Sequence, residues 1–237
     1  MAKLGRKSAV FFDMDGTLVD SETLTEPMIV ALCGEFGIDD VDIECSQFFG
    51  HSWLEIERRL VSYYPQIDGK IDIPARMQEL FHNLLRDEQP PLIPGSKETL
   101  IAISKRMPVA IVTSSGRESA AETVHRMGIA DCVSFYAGFE DYENCKPEPD
   151  GYLKAAEVLQ VEPKHCLVFE DSVTGIQAAK NAGMKVVAIT FRCADIETAT
   201  DLADMAIRDY SDLDEDFISS ISNSGEATSA SEQSRGR

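Results

Sequence analysis

Long apolar runs are missing from this 237-residue chain, and so is an excess of positive charge. No stretch approaches the roughly 18 apolar residues that a membrane-spanning helix needs. The basic start is followed only by Ala9 to Phe12 before Asp13, too short for the apolar part of an export signal. Basic residues number 22 against 41 acidic ones, for a formal charge of −19. An average field of that sign repels a nucleic-acid backbone, so neither nucleic acid nor membrane is an expected partner. A small anion is still admissible, because a bound divalent cation can reverse the local sign. The 6 cysteines contain no Cys-x-x-Cys pair and no following His pair, which argues against structural zinc. Unpaired thiols without an export signal point to the cytoplasm. The oligomeric state is left open, a monomer included.

What is present is an ordinary globular composition, 43% hydrophobic and 27% charged. Short continuous apolar runs recur at Ala9–Phe12, Val109–Val112, Cys166–Phe169, Val186–Ile189 and Met205–Ile207. Continuous rather than alternating runs fit parallel strands covered on both faces. Helical patterns lie between them, one stopping at Gly128 and another at Gly183. The expected fold is therefore α/β: a doubly wound, Rossmann-like parallel sheet core. From about residue 21 to 91 no strand is expected. Instead, helical stripes run through Met28, Ile29, Leu32 and Phe36, through Trp53, Ile56 and Leu60, and through Met77, Phe81 and Leu84. This predicts core segments 1–20 and 92–221 around an inserted all-helical cap domain, 21–91. Residues 222–237 contain no large apolar side chain and are expected to form a disordered tail.

Ligands of open parallel sheets bind beyond the carboxyl ends of the strands, and four segments with chemical potential fall there. The first strand ends in Asp13 and Asp15, followed by Gly16. Two carboxylates this close repel unless a cation lies between them, and magnesium suits such oxygen ligands. An acidic turn is the plain alternative. Thr113 and Ser114 end the second strand before a helix, where a hydroxyl and free N–H groups can cradle phosphate, although such residues also serve simply as caps. Lys146 is framed by Pro147 and Pro149 and could neutralise a phosphoryl group, whereas most lysines are merely solvated. Glu170 and Asp171 follow another strand; capping by Asp171 or Ser172 with a solvated Glu170 is the competing reading. The conjunction of all four at strand ends favours a single site.

In order, these segments resemble the motifs of the haloacid dehalogenase-like hydrolase superfamily, above all its β-phosphoglucomutase-like and sugar-phosphatase branch. The resemblance implies Asp13 as nucleophile and Asp15 as general acid and base. It further implies magnesium held by Asp13, the Asp15 carbonyl and Asp171, with Glu170 as a further ligand or an indirect partner. Thr113 and Ser114 would hold the phosphate, with Lys146 pairing to both phosphate and Asp13. The expected function is a magnesium-dependent phosphatase acting on a small phosphorylated metabolite, a sugar or sugar-acid phosphate. A β-phosphoglucomutase-like mutase is the alternative. It is disfavoured because Thr25 stands where such mutases carry a His, and Trp53 where they carry an Arg. A non-catalytic binding module is the remote option, since no motif carboxylate is missing. His51 and Trp53 are the cap residues singled out, while Arg117 is read as a helix-face residue and Cys145 as structural.

Overall fold

The computed structural model describes residues 4–5, 7–48, 53–88 and 90–222. Its sheet has six parallel strands in the order β3-β2-β1-β4-β5-β6. The strands are β1 (Ala9–Phe12), β2 (Val109–Val112), β3 (Phe135–Ala137), β4 (Cys166–Glu170), β5 (Lys185–Ile189) and β6 (Met205–Ile207). The central register sets Val10 against Val109 on one side and Leu167 on the other.

Alternate residues of each strand enter opposite cores, as a pleated backbone requires. Val10 and Phe12 join one apolar cluster, whereas Ala9 and Phe11 join the other. Helices α1 (Thr25–Glu35), α2 (Trp53–Tyr63) and α3 (Ile73–Asp87) lie between β1 and α4 (Ser96–Ser104). After β2 come α5 (Arg117–Met127), then α6 (Asp150–Val158), α7 (Val173–Asn181), α8 (Ile196–Leu202) and α9 (Glu215–Ile221). Side chains of α4, α5 and α9 cover the Phe12 face, and those of α6, α7 and α8 cover the Phe11 face. Parallel strands need such two-sided cover, which explains their unbroken apolar sequences.

Strand β3 has no counterpart in the sequence reading. It is short and at the sheet edge, and Phe135 and Tyr136 are only partly buried, so no continuous apolar run marks it. Gly128 takes φ +63° at the end of α5, and Gly183 takes φ +76° just beyond α7. Ser222 closes α9 as its C-cap, and residues 223–237 lie outside the described residues. No helix among the described residues is long and apolar enough to cross a membrane.

Between β1 and α4, all regular elements among the described residues are helical. The chain leaves and re-enters the sheet domain along two adjacent segments. Asp20 N–H donates to the Pro91 carbonyl at 2.8 Å and Ile93 N–H to the Leu18 carbonyl at 3.0 Å. Arg192, in the loop after β5, grips Asp20 with bonds of 2.8 to 3.2 Å. Such a planar fork on a carboxylate fixes direction as well as distance, so the point where the helical segment departs is held to the sheet. The α1–α3 stripes bury Met28, Leu32, Leu60 and Met77 in the same apolar cluster as the Phe12 face.

Candidate active site

The carboxyl edge of the sheet gathers the motif residues by simple continuation of its strands. Asp13 N–H donates to the Phe169 carbonyl at 3.0 Å, carrying the β1–β4 ladder one residue further. That places Asp13 directly beside the end of β4, where Glu170 and Asp171 follow. Gly16 then turns the chain with φ +78°. A Cβ at Gly16 would overlap the Asp171 carboxylate, and one at Gly175 would overlap that of Glu170. Both glycines are therefore required for the acids to approach the backbone so closely.

Lys146 lies at the centre. Its ammonium donates to Asp13 Oδ1 at 2.6 Å, to Glu170 Oε1 at 2.7 Å and to the Val112 carbonyl at 3.2 Å. All three hydrogens of the ammonium are thus directed. Burial opposes the charge on Lys146, but Asp13 and Glu170 outweigh it and lift its pKa well above the ordinary value.

Glu170 is completely buried, contrary to the solvated alternative. Its Oε1 also accepts from Tyr152 Oη at 3.2 Å, and its Oε2 accepts from Ser172 N–H and Oγ at 2.9 and 3.0 Å. Ser172 is the N-cap of α7, donating to Glu170 while accepting from Gly175 N–H. A carboxylate with both oxygens engaged is affordable in the interior. Asp171 is buried as well and accepts from Thr17 Oγ1 at 3.1 Å.

Asp13, Glu170 and Asp171 offer oxygens that all lie within 4.8 Å of one another. Burial raises the Asp13 pKa to about 8 despite the attraction of Lys146, and burial and the neighbouring Glu170 and Asp13 push Asp171 well above its usual value. One lysine is too little positive charge for three carboxylates. A hard divalent cation fits the donor set and would supply the balancing charge.

Asp15 is held differently. Its Oδ2 accepts from Ser115 Oγ at 2.6 Å and from Thr113 Oγ1 at 3.3 Å, while its buried Oδ1 has no hydrogen-bond partner among the described residues. Tyr142 Oη, donating to the Thr113 carbonyl at 2.8 Å, braces the same loop. Asp13, Asp15, Thr113, Ser114, Lys146 and Asp171 all face one pocket of about 640 Å³. The helical segment contributes its other wall through Glu22, Thr25, Phe48, Trp53, Ile56 and Gln78. Trp53 does both things asked of it, packing edge-on against Phe81 at 5.4 Å and lining the pocket. His51 lies outside the described residues. Arg117 pairs with Asp141 on the surface of α5. Cys145, read as structural, is exposed and borders the pocket, because the turn before Pro147 leaves it unpacked.

Sequence reading overlooked Ser115, Thr17 and Tyr152. Ser115 stands beside the chosen Thr113 and Ser114, a signal that could have included it. Nothing local marks Thr17 or Tyr152 as a partner of a distant acid.

A six-stranded parallel sheet with acids, a lysine and a hydroxyl loop at its carboxyl edge defines a Rossmann-like α/β protein with its site at that edge. The haloacid dehalogenase-like hydrolase family profile matches residues 10–189, and the chain belongs to that family. It is 31% identical over 202 residues to the 6-phosphogluconate phosphatase of Escherichia coli K12, covering 81% of this chain and 85% of that one. It is 28% identical to the bifunctional riboflavin kinase/FMN phosphatase of Arabidopsis thaliana, of which it spans 48%, over 77% of its own length. Among solved structures, a putative β-phosphoglucomutase from Thermotoga maritima superposes with a TM-score of 0.65 at 25% identity, over 84% of this chain and 94% of that one. Relatives of this kind, named as phosphatases, make the chain a phosphoric monoester hydrolase.

Proposed function

We propose that the protein is a magnesium-dependent phosphatase of a small phosphorylated sugar, working through a phosphoryl group carried on Asp13. The observation that carries this reading is the ammonium of Lys146 held 2.6 Å from Asp13 and 2.7 Å from Glu170 at the floor of the pocket.

Asp13 attacks phosphorus, the bond to the sugar oxygen breaks, and Asp15 delivers a proton to that leaving oxygen. Asp15 then takes a proton from a water that attacks the same phosphorus, releasing phosphate and restoring Asp13. Splitting one difficult displacement into two easier ones is what a carboxylate nucleophile offers. The unpartnered Oδ1 of Asp15 is the atom free for proton transfer, since Ser115 and Thr113 engage Oδ2. Thr113 and Ser114 hold the phosphoryl oxygens, and Lys146 balances their charge as it moves. A magnesium ion held by Asp13, Asp171 and the Asp15 carbonyl would neutralise further charge on the transferring group. Glu170, committed to Lys146, Tyr152 and Ser172, serves that ion more as an orienting neighbour than as a full ligand.

Segment 21–91 acts in this reading as the cap over a core made of 1–20 and 92–221. Lys146 is the sole lysine or arginine among the described pocket-lining residues. A second phosphate on the substrate would meet Glu22 and the apolar wall of Trp53 and Ile56 rather than a cation. That favours hydrolysis over a mutase cycle, which must hold a bisphosphate. The 6 unpaired cysteines favour a reducing, cytoplasmic setting.

A panel of sugar phosphates tests the reading. Phosphate release with magnesium, abolished by chelator, is expected for some members. Interconversion of β-glucose 1- and 6-phosphates faster than phosphate release would establish the mutase alternative instead.

A further inference from the structure

The amino edge of the sheet, opposite the candidate active site, carries a second cluster of charge. Lys7 lies just before Ser8 and β1, Lys185 opens β5, and Lys164 and His165 sit in the short turn that leads into β4. These residues line an open pocket of about 590 Å³ together with Leu4, Gly5 and Ser8. Among the described residues, every ionisable one on its wall is basic, in a chain where acids outnumber bases 41 to 22.

The basic residues differ in how they are satisfied. Lys164 pairs with Glu162 at 2.6 Å and Lys185 with Asp204 at 2.6 Å. Lys7 is only 3% exposed, and among the described residues its ammonium makes neither a hydrogen bond nor an ion pair. Its backbone is fixed on both sides, with Lys7 N–H donating to the Ile221 carbonyl at 2.8 Å and Ser8 N–H to the His165 carbonyl at 2.7 Å. Burial and the neighbouring Lys185 lower its pKa, with Asp204 and Cys166 opposing. Most of the Lys7 side chain is buried while the residue still borders the open pocket, and an anion there would be a direct partner for its charge.

We propose that this pocket is a second anion site, which takes inorganic phosphate with Lys7 as its anchoring cation and Lys185, Lys164 and His165 around it. The geometry suits a compact dianion. Lys7, with most of its side chain buried, supplies the inner contact, while the more exposed Lys164 and Lys185 close from the rim. The overall negative charge of the chain does not prevent this, because screening in physiological salt limits the field to about 8 Å. The competing description is a lysine whose stem packs and whose tip is hydrated.

Amine acetylation under limiting reagent, read by peptide mass spectrometry, separates the two. Inorganic phosphate is added to the intact protein at constant ionic strength, against chloride, in wild type and in Asp13→Asn to separate this site from the candidate active site. The proposal expects phosphate to protect Lys7 selectively in both proteins, with labelling falling about sixfold when phosphate stands fivefold above its Kd. Calorimetric titration then expects one phosphate fewer bound to Lys7→Met than to wild type, with Lys7→Arg retaining it. Equal labelling in phosphate and chloride up to tens of millimolar overturns the proposal, and so does a full complement of bound phosphate in a folded Lys7→Met. If Lys7→Met does not fold, the wild-type labelling decides alone.

Discussion

Lys146 and Lys7 are both buried lysines at the ends of the same sheet, and they are built in opposite ways. Lys146 directs its ammonium to Asp13, Glu170 and a carbonyl, and its affinity for the proton rises. Lys7 has no such acceptors among the described residues, and its affinity falls. Burial is common to the two, so partners decide the sign. At the carboxyl edge the lysine is matched by carboxylates, whereas at the amino edge no described carboxylate bonds to Lys7.

The comparison breaks most sharply at the nucleophile. Asp13→Asn keeps the shape of the cluster but removes the carboxylate proposed to attack phosphorus, and turnover should fall by at least about 10⁴-fold. Near-normal rates on the same sugar phosphate would remove Asp13 from that role. Lys146→Met leaves Asp13 and Glu170 facing each other without their shared cation. Turnover should drop roughly 10³-fold, and urea unfolding should show a loss of about 3–5 kcal/mol. Unchanged stability would mean that the carboxylates do not depend on the lysine.

Metal binding should act on the same edge and depend on pH. The raised pKa of Asp13 means that its contribution to stability is full below about pH 4, where the carboxyl is protonated folded or unfolded. That contribution is lost as pH rises through about 8. Magnesium should therefore stabilise the protein more at pH 8 than at pH 5. At a hundredfold excess over its Kd the gain is about 2.7 kcal/mol, or roughly 5–10 °C in Tm for a chain of this size. A magnesium shift that is flat or declining with pH would contradict the shared-carboxylate picture.

Smaller effects sharpen the contrast. Ser115→Ala frees the Oδ2 of Asp15 from its shortest bond and should slow turnover about tenfold, while altering the acid–base limbs of the pH–rate profile. A profile that merely scales down would make Ser115 structural. Lys7→Met should leave Tm unchanged or raise it by a few degrees, because Met keeps the packing of the buried stem and removes a charge that partial burial and Lys185 disfavour. The sign is the point: the same substitution at Lys146 destabilises.

Much of this was legible in the amino-acid sequence. The strand ends bearing Asp13, Thr113 and Glu170 were readable because continuous apolar runs stop abruptly at polar residues. The helical stretch was readable from the spacing of Met28, Leu32, Leu60 and Met77. Strand β3 escaped because an edge strand with half-exposed Phe135 and Tyr136 lacks that signature. The full burial of Glu170 escaped for a different reason. Its partners, Lys146 and Tyr152, are 24 and 18 residues away in sequence, and only the folded sheet brings them together. Ser115 meets Asp15 across 100 residues, a contact that no local pattern encodes. The Lys7 pocket was invisible for the same cause, since its basic residues come from segments flanking β1, β4 and β5.

The most direct test of the account is to catch the phosphoryl group on the protein. Wild-type enzyme mixed with a sugar phosphate that it hydrolyses, quenched in acid within one turnover and digested, should carry the phosphoryl mass on the peptide containing Asp13. The label should be released by hydroxylamine and absent from Asp13→Asn. Phosphate found on any other residue, or brisk turnover with no labelled peptide at any quench time, would contradict it.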